Sequence, residues 1–286
     1  MNKKKVIKNN TSSFLIRIRE HIIELTTPKI MGILNLTENS FYDGGKYNSI
    51  KSATAQTKKM IEEGAFFIDV GVASSKPGSN IISSTDEIKI LTPYLKHLIK
   101  EFPNTFFSID TYNSEVAKMS LDLGVSMIND ISGGDLDPNM YSVVSSYMVP
   151  YIIMHMKGIP KTMQNDPNYD DIVSEVIYCF SDKIKKARLF GIQDILIDPG
   201  FGFGKNLNHN FSLFKNLSLL DSLNCPLVVG VSRKSMIYKT LGCSPEHALN
   251  GTSVLNTLSL DRGAKILRVH DVKEAKECIS LWTMLH

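Results

Sequence analysis

From Pro28 onward the chain repeats one alternation: a short run of β-branched and aromatic residues, a loop, then a stretch of helical periodicity. Eight such runs occur, at residues 29–36, 65–71, 104–110, 125–130, 150–156, 194–200, 226–232 and 264–270. They are apolar on both faces, as parallel strands covered by helices must be. Between them lie apolar stripes at helical spacing. Ile88, Leu91, Leu95, Leu98, Ile99 and Phe102 form one, Val173, Val176, Phe180, Ile184 and Ala187 another, and Ala275, Ile279 and Trp282 a third. Ser84 with Glu87 has the spacing of a capping box. Gly64, Gly124, Gly191 and Gly263 fall where helices should end in a left-handed residue. Eight βα units in roughly 250 residues is the size of a (β/α)8 barrel. With 43% hydrophobic residues the chain can fill such a core, and no composition break divides residues 14–286, so one domain is expected. Residues 14–25, FLIRIREHIIEL, alternate like a short hairpin and are expected to plug the barrel's N-terminal end; residues 1–13 are expected to be mobile.

The segment ILIDPGFGFGK at residues 195–205 looks at first like a phosphate loop. Spacing excludes the two common kinds. A P-loop has four residues between its glycines and Ser or Thr after its lysine; here three residues separate Gly200 from Gly204, and Asn206 follows Lys205. The dinucleotide fingerprint wants a third glycine where Leu207 stands, and it opens the first βα unit rather than a late one. Other classes are also disfavoured. A net charge of +3 is too small and dispersed for nucleic acid or membrane partners. Cys179, Cys225, Cys243 and Cys278 lie far apart without a Cys-x-x-Cys, so free thiols in a reducing compartment are expected. The basic opening MNKKKVIKNN is not followed by an apolar signal core, and a cytoplasmic protein is expected.

In such a barrel chemistry is built where the strands end. The eight ends carry Asn35, Asp69, Asp110, Asn129 with Asp130, His155, Asp198, Ser232 with Arg233 and Lys234, and Arg268 with His270. Any one of these alone would be an ordinary cap or loop residue; their convergence favours an enzyme or a small-molecule binder. There is no Cys-His pair, Ser74 and Ser75 lack a triad partner, and the two histidines are not at zinc-like spacing. A Schiff-base role for Lys234 remains open. Asp, Asn, Asp and Lys together suit a heterocycle presenting both donors and acceptors. Arg268 and His270 alternate along one strand and suit a phosphate or diphosphate.

The motifs MGILNLTENSFYDGG (31–45), SIDT (108–111), IND (128–130), MHMKGIPKTMQ (154–164), DPGFGFGK (198–205), GVSRKS (230–235) and RVHDV (268–272) together resemble the dihydropteroate synthase family, in the right order and one per strand end. The resemblance covers the chain from about residue 28 to its end. It implies condensation of 6-hydroxymethyl-7,8-dihydropterin diphosphate with p-aminobenzoate to give 7,8-dihydropteroate and diphosphate, assisted by Mg2+, in a cytoplasmic homodimer. It implies that Asp110, Asn129, Asp198 and Lys234 read the pterin ring, with Met154 either against the ring face or in the core. Asn35 would bind the metal and, with Ser75, Arg268 and His270, the diphosphate; Phe41, Ser75, Pro77, Phe203 and Ser232 would shape the p-aminobenzoate site. Asn35, Lys234, Arg268 and His270 would act in catalysis. Two loops depart from the family pattern. Ala73-Ser74-Ser75-Lys76-Pro77-Gly78 stands where Glu-Ser-Thr-Arg-Pro-Gly is common, and Glu38-Asn39 where Pro-Asp is common. The first change loses a bidentate fork, and the second a rigid residue and an acid. The alternatives are a methyltetrahydrofolate-using methyltransferase barrel, which has no diphosphate to hold, and a non-catalytic pterin-binding relative. Lys205 has no assigned role.

Overall fold

The computed structural model describes residues 14–36, 49–72 and 82–286. It opens with an antiparallel pair, β1 (Leu15–Ile18) and β2 (His21–Glu24). Eight parallel strands then follow as a closed barrel: β3 (Lys29–Asn35), β4 (Phe67–Gly71), β5 (Phe106–Asp110), β6 (Met127–Asp130), β7 (Tyr151–Met154), β8 (Ile195–Asp198), β9 (Leu227–Val229) and β10 (Ala264–Val269). The strands neighbour one another in chain order, and β10 closes on β3 through Arg268 opposite Met31. The helices that cover them are α1 (Ile50–Glu62), α2 (Ser84–Glu101), α3 (Ser114–Asp122), α4 (Asn139–Tyr147), α5 (Ile172–Leu189), α6 (Leu207–Lys215), α7 (Ser235–Leu241), α8 (Leu249–Asp261) and α9 (Val272–Thr283). Each of the eight apolar runs thus holds one barrel strand.

Strand periodicity divides each run between two cores. Ile30, Leu34, Ile68, Val70, Phe107, Ile109, Ile128 and Ile153 face outward and are buried with the helix stripes, including Leu91, Leu95, Leu98, Val176, Phe180 and Ile279. Met31, Phe67, Met127, Ile152, Leu196, Val228 and Ile266 face inward and form the lowest barrel layer. Ile16 and Ile18 of β1 and Leu25 after β2 are buried in that same cluster, so the hairpin plugs the barrel's N-terminal end as its alternation foretells. Gly64, Gly124, Gly191 and Gly263 all have positive φ just past helix ends.

One cap differs from expectation. Ser83, not Ser84, caps α2, accepting from the Asp86 N–H at 3.1 Å. Ser84 instead donates to Glu115, and Glu87 turns inward to accept from Asn113 at 2.9 Å. The helix starts one residue earlier, which moves the third helical position to Asp86 and leaves Glu87 on the buried face.

Candidate active site

The inward register that places Met31, Phe67, Met127, Leu196 and Ile266 at the bottom continues upward two residues at a time. It carries Asn35, Asp69, Asp110, Asn129, Met154, Asp198, Gly230 and Arg268 to the C-terminal mouth, on all eight strands or just beyond them. Residues one step out of register face the helices. Asp130 accepts from the Ser132 and Gly134 N–H groups and from the Tyr151 hydroxyl, fixing a turn. His155 packs beside Phe180 and Tyr169. Arg233 clamps Asp271 with Nε and Nη2, both at 2.8 Å, and caps the Pro245 and Glu246 carbonyls. These three rim residues therefore serve the scaffold, a correction to the convergence of every strand end.

Within the mouth two charged groups face each other. In the first, Arg268 Nε donates to Asp69 Oδ2 at 2.7 Å and Nη2 to Asp110 Oδ2 at 2.6 Å. Asp69 Oδ2 also accepts from Asn129 Nδ2 at 2.9 Å, so the amide oxygen of Asn129 is left to face a donor. Burial pushes the Asp110 carboxyl up to about 7, against the pull of Arg268. Burial works to lower the Arg268 guanidinium, but Asp69 and Asp110 outweigh it and hold the group charged. Asp69 appears at a strand end in the sequence but carries no assigned role there; the signal is an acid at an inward position of the otherwise apolar FIDVG.

The second group comes from β8 and the turn after β9. Asp198 Oδ1 accepts from the Gly200 N–H at 2.8 Å, and a Cβ on Gly230 would lie 3.7 Å from Asp198 Oδ2 and 3.8 Å from Lys234 Nζ. Lys234 donates to the Phe201 carbonyl at 2.6 Å and sits 4.8 Å from the centre of the Phe203 ring. Burial pushes Lys234 down to about 8, opposed by Asp198, and burial pushes Asp198 up, opposed by Lys234. Beside them Met154, Met156, Met163 and Ile131 form a small apolar cluster that Phe203 and Tyr112 border.

At the rim, Ser232 Oγ lies 3.0 Å from His270 Nδ1. Burial, helped by Arg268, pushes His270 down to about 4 and keeps its imidazole neutral at physiological pH. Asn35 ends β3, with Oδ1 3.8 Å from where a Cβ on Gly71 would lie. Among the described residues no group of three or more His, Cys, Asp or Glu is placed to hold a metal, so an all-protein cage is absent from that part of the chain. The Asn35 side-chain oxygen is a hard donor of the type Mg2+ accepts. Phe41, Ser75 and Pro77, and the altered Glu38-Asn39 and Ala73–Lys76 stretches, lie outside the described residues.

The glycine-rich turn explains Lys205. Its ammonium is fully buried and donates to the carbonyls of His155, Gly200 and Phe203 at 3.2, 3.0 and 3.0 Å, with His155 Nδ1 at 2.9 Å. Gly200 passes so close to β7 that a Cβ would meet the His155 carbonyl oxygen at 2.0 Å, and its φ is +66°. The lysine staples the turn from beneath rather than binding phosphate.

Comparison with known proteins identifies the family. The family described as "Pterin binding enzyme" matches residues 31–270. Dihydropteroate synthase of Escherichia coli K12 is 40% identical over 90% of this chain and 91% of its own. A Yersinia pestis dihydropteroate synthase in complex with a sulfonamide drug superposes with a TM-score of 0.92 at 36% identity, covering 95% of this chain and 99% of that one. The Xanthomonas albilineans dihydropteroate synthase with 4-aminobenzoic acid gives 0.88 at 34% identity, covering 96% and 98%. The chain belongs to the dihydropteroate synthase family, transferases built on a (β/α)8 barrel.

Proposed function

We propose that the protein condenses 6-hydroxymethyl-7,8-dihydropterin diphosphate with p-aminobenzoate, giving 7,8-dihydropteroate and diphosphate. The observation that carries this is the pairing, in one barrel mouth, of acceptors for a ring's N–H groups with an arginine and a neutral imidazole. Asp110, Asp198 and the Asn129 amide oxygen accept from the pterin's donors. Lys234, which donates to the Phe201 carbonyl, has further N–H donors for the ring carbonyl. Met154 and its methionine neighbours supply an apolar wall for the ring face.

The bond to break joins the exocyclic methylene carbon to a diphosphate oxygen. The electron pair leaves with diphosphate, the arylamine nitrogen forms the new C–N bond, and that nitrogen then loses a proton. The electron-rich dihydropterin supports positive charge at the carbon, so the step is SN1-like and makes little demand on a general base. It requires stabilisation of the departing anion, which Arg268 and His270 provide by donating hydrogen bonds. One preorganised donor of this kind is typically worth roughly 3 kcal/mol in the transition state. Mg2+, held by Asn35, would neutralise part of the diphosphate charge. Phe203 and Ser232 are assigned to p-aminobenzoate, as are Phe41, Ser75 and Pro77, which lie outside the described residues. The Ser232 hydroxyl, near the start of α7, suits the substrate carboxylate.

A homodimer through the late helices is part of this reading. It is supported by Val254 of α8 and Leu281 of α9, which are more than half exposed on helices that pack together. The substrate assignment is tested by competition. With pterin and pyrophosphate present, a sulfonamide is expected to displace labelled p-aminobenzoate; simultaneous binding of both would overturn the assignment.

A further inference from the structure

Arg268 is a paradox for a residue meant to hold an anion. Its Nε and Nη2 are committed to two carboxylates, Asp69 at 2.7 Å and Asp110 at 2.6 Å. Both donors are thereby occupied, so an anion cannot take either of them without displacing a carboxylate. The two acids are not equivalent. Asp69 is completely buried, holds Asn129 as well as Arg268 on Oδ2, and has a second oxygen, Oδ1, that accepts no hydrogen bond from the described residues. A buried carboxylate oxygen without a donor is costly and offers a landing place for one. Asp110 stands higher in the mouth, where substrate can reach it.

We propose that Asp69 is a positioning residue that couples the two halves of the substrate site, keeping Arg268 by Nε while Nη2 passes from Asp110 to Asp69 and Nη1 turns to the diphosphate. Resting on the substrate assignment above, ring N–H groups that reach Asp110 compete for the oxygen that Nη2 occupies. Nη2 is released towards the vacant Asp69 Oδ1, where Nε and Nη2 can make a bidentate fork. That rotation turns Nη1 towards the leaving group. Asp69 also fixes which way the Asn129 amide faces, so one buried acid sets both the ring reader and the anion holder. A molecule carrying diphosphate without the ring leaves Arg268 on Asp110, so the site resists plain pyrophosphate and nucleotides.

The test is thermodynamic linkage, measured by calorimetry with inorganic pyrophosphate and 6-hydroxymethylpterin at fixed Mg2+. The wild-type protein is expected to bind pyrophosphate roughly tenfold more tightly when the pterin is bound, and the reverse by the same factor. Asp110→Asn is expected to bind pyrophosphate more tightly than wild type without any pterin. Asp69→Asn is expected to bind it less tightly, because Arg268 then stays on Asp110. Simple charge removal would strengthen binding in both variants alike, and that result would overturn the proposal. So would independent binding of pterin and pyrophosphate to the wild type, a measurement that stands even if Asp69→Asn fails to fold. Absence of pyrophosphate binding under every condition, Asp110→Asn included, would instead overturn the diphosphate assignment and this proposal with it.

Discussion

At the scale of single residues the site separates reading from reacting. Asp198 is fully enclosed and faces Lys234 across Gly230, so its loss leaves a buried donor set without its acceptor. Asp198→Asn is expected to weaken pterin binding severely, by two or more orders of magnitude on the scale of discrimination typical of buried polar sites. Arg268→Ala is expected mainly to slow turnover, by roughly a hundredfold or more. Direct pterin titration beside steady-state kinetics separates the two, and equal losses of binding would contradict the assigned roles. The buried histidines add a pH dependence. Burial holds His270 down at about 4 and His155 well below its ordinary 6.5. Between the unfolded value of 6.5 and the folded value near 4, the unfolded chain binds more protons. The contribution of His270 is therefore expected to fall as pH is lowered from 6.5 towards 4, while Asp110, raised to about 7, contributes in the opposite sense. The difference in urea midpoint between the wild type and His270→Gln across that window isolates the histidine, and a difference that grows in the wild type's favour on acidification would contradict it.

At the scale of elements, the apolar runs were legible because parallel strands buried on both faces leave an unmistakable pattern. Their polar ends were less so. Asp130 and His155 stand beside mouth-facing residues in sequence, yet a step of one residue turns them to the helix side. Parity counted from Met31 and Phe67 at the barrel bottom separates them, but only once the hairpin's burial shows which face is inside. Asp69 was visible as a strand end and unassignable without its partners, since Arg268 lies 199 residues away. The role of Lys205 was illegible for the same reason: its carbonyl partners converge only after β7 and β8 pair. The plug itself yields a prediction. Ile18 is fully buried against the lowest barrel layer. Ile18→Ala is expected to cost about 2–5 kcal/mol in urea unfolding while leaving KM unchanged at temperatures well below the transition. A cost near zero would mean the hairpin does not close the barrel.

Across the whole molecule the two barrel ends divide the work. The hairpin end is apolar and serves stability; the opposite end gathers Asp69, Asp110, Asn129, Asp198, Lys234 and Arg268 in one mouth. No described helix is long and apolar enough to cross a membrane. The altered Glu38-Asn39 and Ala73-Ser74-Ser75-Lys76 stretches change none of the residues assigned to the ring, which sit on strand ends or the short turns after them. A pterin-binding protein without activity would keep the same ring pocket, so binding alone does not separate the two. Turnover does. Purified protein given Mg2+, fresh 6-hydroxymethyl-7,8-dihydropterin diphosphate and labelled p-aminobenzoate is expected to release labelled 7,8-dihydropteroate, with one pyrophosphate for each product formed. Measurable pterin binding without any labelled product would contradict the account.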